Sequence, residues 1–147
     1  MTPPRAIRWR WFVLPALALA FVAAMASNWT TVGFEVRPEE ANGTIHQRFA
    51  IPATALRVSF VSTPRGSSVS FDVDREGFEA WRRGHGFRVV PITAERPGAG
   101  FTIDREGVVH PDVILTEGVA FQGDGECSYS GCYDTRTRRC YAGFSCR

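Results

Sequence analysis

A chain of 147 residues that is 44% apolar, 22% charged and 12% aromatic lies in the ordinary globular range. That excludes a largely disordered, collagen-like or multi-span membrane protein and leaves room for one domain with at most a small appendage. All seventeen basic residues are arginine, against fifteen acids, for a formal net charge of +2; without lysine there is no lysine Schiff-base chemistry and no lysine-bearing phosphate loop.

Residues 1–26 read as a separate unit. Arg5, Arg8 and Arg10 precede a charge-free apolar run from Trp11 to Ala23, and Ala24-Met25-Ala26 supplies a small-x-small cleavage pattern before Ser27. Two readings stay open, a cleaved signal peptide and a retained single-pass anchor. In the second, Trp9 and Trp11 on one side and Trp29 on the other mark the interfaces, although the run is shorter than the roughly 20 residues a span needs. Both place the rest of the chain outside the cytoplasm, secreted or in the cell envelope. Without residues 1–26, fourteen arginines face fifteen acids, a net charge of −1. The basicity belongs to the leader, so no nucleic-acid partner is expected, and membrane contact is expected only through that segment if it is uncut.

From Thr31 the dominant period is two, which puts alternate side chains on a buried sheet face. Val32, Phe34 and Val36 share one parity; Ile45, Phe49 and Ile51 alternate around His46 and Arg48; Leu56, Val58 and Phe60 follow. Val69, Phe71 and Val73 against Ser70, Asp72 and Asp74 form the cleanest case. Further runs lie at 87–90, 101–103, 108–109, 113–115 and 119–121. Turn signals separate them at Pro38, Asn42-Gly43, Pro52, Pro64-Arg65-Gly66, Gly84 to Gly86 and Pro97-Gly98. The expected fold is all-β: an antiparallel β-sandwich over residues 31–122 with one short helix at about 75–83. In that helix Asp74 is the cap, Phe78 and Trp81 share the inner face, and Gly84 suits the left-handed C′ position. The expected role of Trp81 is a lid on the core. Phe71 to Gly77 is echoed by Phe101 to Gly107, shared turn chemistry in which Gly107 takes a positive φ at a bulge.

Leu56-Arg57-Val58-Ser59-Phe60, Ser68-Val69-Ser70-Phe71-Asp72-Val73-Asp74 and Phe78-Glu79-Ala80-Trp81-Arg82-Arg83-Gly84 form a strand, a strand ending in Asp, and an aromatic helical turn closed by Gly. Over residues 56–84 this resembles exported accessory β-sandwich domains of the GOLD or pre-peptidase kind. The closing Pro-Gly-x-Tyr-Tyr strand of those domains is absent. The resemblance implies adhesion, stabilisation or carbohydrate association and carries over no site residue.

Catalytic signatures are sparse. There is no His-Glu-x-x-His or Gly-x-Ser-x-Gly, and His46, His85 and His110 stand apart in sequence. Asp72, Asp74, Glu76 and Gly77 imitate the start of a calcium loop, but Glu replaces a shorter acid and the twelfth position is Arg83. A solvated strand end running into a helix cap is the expected reading. No cofactor, no metal and no catalytic residue are expected. Two sequons, Asn28-Trp29-Thr30 and Asn42-Gly43-Thr44, matter only where exported asparagine is glycosylated.

The tail is the most distinctive segment. Cys127, Cys132, Cys140 and Cys146 all lie within it, at C-x4-C-x7-C-x5-C spacing. In an exported chain such a set reads as two disulfides with three possible connectivities, and a four-thiolate zinc site is the alternative. Residues 123–147 are accordingly expected to be a small disulfide-stapled appendage. Residues 27–126 carry ten arginines against fourteen acids, and residues 127–147 four against one, so the tail is locally basic. A loop from Tyr133 to Arg139 would present Arg136, Arg138 and Arg139, with Tyr133 and Tyr141 beside them, to carboxylate, sulfate or phosphate groups. The bland alternative is a staple that ties down the C-terminus. The functional expectation is an exported, non-enzymatic binding or structural protein whose partner is an anionic envelope polymer or another exported protein. The rival is a small secreted inhibitor or toxin-like effector presenting the same loop.

Overall fold

The computed structural model describes residues 29–146; the signal or anchor assigned to residues 1–26 lies outside them. No helix among the described residues is long and apolar enough to cross a membrane. Strands β1 (Thr31–Val36), β2 (Leu56–Ser62) and β3 (Gly66–Asp72) run up and down at one side. Helix α1 (Gly43–Phe49) separates β1 from β2, and helix α2 (Arg75–His85) follows β3. Then come β4 (Arg88–Ile92), β5 (Gly98–Ile103), β6 (Val109–Leu115), β7 (Gly118–Gly123), β8 (Cys127–Asp134) and β9 (Arg139–Cys146).

Seven strands form one sheet in the order β1-β2-β3-β9-β8-β7-β4, and β5 and β6 form a separate pair. Every pairing is antiparallel. Both helices pack on one face, where Ile45, Phe49, Phe78 and Trp81 meet Val58, Phe60, Val69, Phe71, Phe121 and Tyr133. The β5–β6 hairpin covers part of the other face, burying Leu115 with Ile92, Cys132 and Tyr141. The mostly-β antiparallel class is therefore as expected, with seven strands opposed by two.

Local chemistry explains the differences from the sequence reading. The strand expected around Ile45–Ile51 is helix α1. Asn42 caps it, its side-chain oxygen accepting the Ile45 N–H at 2.9 Å, and Ile45 and Phe49, four residues apart, are buried on one side. Helix α2 keeps its Asp74 cap, which accepts the Gly77 N–H at 2.7 Å, but runs to Gly86, whose φ of 69° ends it two residues beyond Gly84. Trp81 is buried as expected, within an aromatic cluster that includes Phe71, Phe87 and Phe121. Gly107 takes the expected positive φ, 83°.

Two bulges reset strand parity. In β1 the register shifts between Gly33 and Val36, with Glu35 at φ 50°. Gly33 therefore faces the core, where the Phe60 ring fills the space a side chain would need, and Val32 and Phe34 face outward. In β2 the shift lies between Leu56 and Ser59, with Arg57 at φ 47°, and it throws Leu56 out to solvent.

The tail is not an appendage. β9 is the central strand, paired with β3 from Gly66↔Ser145 to Asp72↔Arg139 and with β8 on its other side. Tyr129 and Tyr133 on β8, with Cys140, Ala142 and Phe144 on β9, add apolar surface to the helix-covered face, so the segment folds as part of the main core.

Candidate functional site

The geometry around the β8–β9 turn starts with a buried carboxylate. Asp134 Oδ1 accepts the Arg136 N–H at 2.9 Å and the Thr137 N–H at 3.2 Å, closing an Asx-type turn. Arg138 returns the chain with φ 58°, and its carbonyl accepts the Val73 N–H at 2.9 Å. The Thr135 hydroxyl donates to Glu117 at 3.2 Å. The turn is thus held to the end of β3 and to the β6–β7 connection.

The five binding residues expected from sequence do not converge. Arg139 turns back over the sheet, donating to Asp72 Oδ1 at 2.6 Å and to the buried Ser70 hydroxyl at 2.9 Å. Arg57 Nε donates to Asp72 Oδ2 at 2.6 Å, and this bond and the charge behind it raise the Arg57 pKa. Asp72 therefore sits between two arginines, and Arg139 is a structural partner with its side chain only 20% exposed. Tyr133 is buried on the helix side, stacked on Phe78 at 4.2 Å with its hydroxyl donating to the Val73 carbonyl at 2.9 Å. Tyr141 is buried on the opposite face, edge-on to Phe101 at 5.6 Å. Desolvation raises the pKa of both phenols. Only Arg136 and Arg138 reach solvent, and among the described residues neither has an ion-pair partner. Acidic residues of the preceding segments, Asp72, Asp74 and Glu117, flank the basic turn without pairing with Arg136 or Arg138.

The cysteine expectation needs correction. Cys127 and Cys146 form one disulfide across a directly opposed β8–β9 pair, with Cα atoms 4.3 Å apart. Cys132 and Cys140 are free. Cys132 pairs with Tyr141 and Cys140 with Tyr133, so adjacent ladder positions send the two thiols to opposite faces of the sheet, where they can neither bond to each other nor share a zinc ion. Burial raises both thiol pKa values, that of Cys140 strongly; neither is an activated nucleophile.

The remaining titratable candidates are dispersed. The His85 ring bonds the Phe49 carbonyl at 2.8 Å, His110 pairs with Asp104 at 2.8 Å, and Asp74 is spent in part on its cap. The hydrogen bond from His110, with backbone support from Val108, lowers the Asp104 pKa. Among the described residues no group of three or more His, Cys, Asp or Glu could hold a metal ion.

Two concavities flank the turn strands. One, about 330 Å³, lies directly beside the turn and is lined by Thr54, Leu56, Asp72, Val73, Asp74, Thr137 and Arg138. The other, about 380 Å³, is a shallow hydroxyl-rich groove further along the sheet, with Ser68, Ser130 and Gly143 in its floor. Sequence reasoning missed Thr54 and Leu56, because strict alternation assigns Leu56 to the core; the bulge at Arg57 has no signature in residue type. Comparison with known proteins adds no relative: no family model, no curated protein and no solved structure matches this chain.

Proposed function

We propose that the protein is an exported, non-enzymatic binding or structural domain of the cell envelope. Its β8–β9 turn engages anionic groups on an envelope polymer or an exported partner protein. The carrying observation is the pairing state of the arginines. Arg57 and Arg139 are consumed by Asp72, whereas Arg136 and Arg138 project unpaired from a turn whose backbone is already fixed. A pre-ordered cationic tip loses little conformational entropy on binding, and guanidinium groups suit carboxylate, sulfate and phosphate oxygens. The cross-strand disulfide supports an oxidising compartment outside the cytoplasm.

The test is binding of the wild type and an Arg136→Ala/Arg138→Ala variant to immobilised dextran sulfate and polygalacturonate, at low salt and at 0.5 M salt. The wild type should be retained at low salt and released at high salt. The variant should bind at least about tenfold more weakly, as expected for the loss of charged hydrogen bonds. Equal retention of the two proteins overturns the reading.

A further inference from the structure

The cleft beside Arg138 combines groups that seldom serve one ligand. Arg138 supplies a cation, Thr54 and Thr137 supply hydroxyls, Asp74 a carboxylate, and Leu56 an apolar wall. Leu56 is 65% exposed, held out of the core by the bulge at Arg57. Asp72 is fully committed to its two arginines. Asp74 uses Oδ1 for the α2 cap and has no partner for Oδ2 among the described residues.

The backbone singles out the same place. Arg138 is one of four non-glycine residues with positive φ among the described residues, and it lines this cleft; Arg57, another of the four, adjoins the lining residue Leu56 in sequence. At the last position of a tight β-turn glycine adopts that conformation without strain, whereas a residue with a Cβ does so at a cost. An arginine at such a position, where glycine would be unstrained, points to a use for its guanidinium.

A dense polyanion fits the cleft poorly, because the Asp74 carboxylate, which no arginine neutralises among the described residues, would repel it. A neutral sugar would leave Arg138 unsatisfied. A ring carrying one carboxylate and several hydroxyls satisfies every group at once. We propose that this cleft binds a hexuronate unit of an acidic polysaccharide. Arg138 takes the carboxylate, Asp74 Oδ2 and the two threonines take ring hydroxyls, and Leu56 lies against the C–H face. The volume of about 330 Å³ suits one pyranose ring with its neighbours left in solvent. This rests on the reading of the turn as an anion-binding tip and names its ligand class.

Calorimetry on the intact protein tests it, with trigalacturonate and triglucuronate as probes and neutral galactotriose as control. Saturable binding of at least one uronate is expected, about tenfold or more tighter than the neutral sugar. Arg138→Gly should weaken it about tenfold, and Leu56→Ala by a few-fold. Because glycine relieves the left-handed strain, Arg138→Gly should melt no lower than the wild type, which separates lost binding from lost folding. Dextran sulfate retained through Arg136 and Arg138 without uronate binding would overturn the cleft while leaving the anion-binding turn. Failure of both ligand classes would overturn both readings. Equal affinity for the neutral and acidic sugars would overturn the role of Arg138.

Discussion

Alternate residues of the same strands build two unlike faces. Beneath the helices lie Phe71, Phe121, Tyr129, Tyr133 and Phe144, locked by ring contacts such as the Phe78–Tyr133 stack at 4.2 Å and the Trp81–Phe71 edge contact at 5.6 Å. The reverse face offers Ser68, Ser70, Ser130, Gly143 and Ala120, and only the part around Tyr141 and Cys132 is sealed by the hairpin. One face excludes water through large aromatic volume, with indole and phenol groups bonded to carbonyls of helix α1: Trp81 to Phe49 at 2.6 Å and Tyr129 to Arg48 at 2.9 Å. The other relies on small residues that let a second pair of strands approach; a side chain at Gly100 would meet the Tyr141 ring at 3.0 Å. Stability is therefore concentrated on the helix side, and the hairpin side is the one that can open.

Substituting one anchor on each side breaks the comparison most directly. Phe78→Ala should cost about 4 kcal/mol, because it removes a fully buried ring that touches Trp81, Phe121 and Tyr133. Leu115→Ala should cost about 2 kcal/mol, since the hairpin can settle into the space. Urea denaturation reads both; an equal or reversed order would show the hairpin face to be the stronger.

The free thiols sharpen the same contrast. Cys132 should react with a thiol reagent at the rate of hairpin opening, and Cys140 only on global unfolding, so labelling followed by mass spectrometry should modify Cys132 first. A smaller effect concerns pH. Both folded thiols hold their protons to higher pH than the unfolded chain does, with an unfolded value of about 8.5. Their contribution is complete below that value and is lost as pH rises through the raised folded values. The urea midpoint should fall between pH 8 and 10, and Cys140→Ala should flatten the decline.

Much of this arrangement was legible in the residues. Val69, Phe71 and Val73 alternate cleanly and are buried, and Asp74, Phe78 and Trp81 mark α2. Residues 45–51 misled because Ile45 and Phe49 satisfy both periods, and only the Asn42 cap breaks the tie. The tail misled because cysteine spacing drew attention away from its own alternation. Tyr129, Gly131 and Tyr133 against Ser128, Ser130 and Cys132 is a strand pattern, and it already sends Cys132 to the face opposite Cys127. The cleft was illegible because it depends on a bulge and on distant segments meeting. Neither the placement of Thr54 and the β8–β9 turn around one cleft nor the capture of Arg139 by Asp72 follows from local sequence.

The position of β9 sets an order of events in folding. The strand that completes the middle of the sheet joins residues 139–145 to residues 66–72. Without that last segment, the run β1-β2-β3 and the run β4-β7-β8 each have a bare inner edge and no strand to join them. Such long-range closure is slow. The full sheet can therefore consolidate only once its ninth strand is in place, whichever of the two halves pairs first.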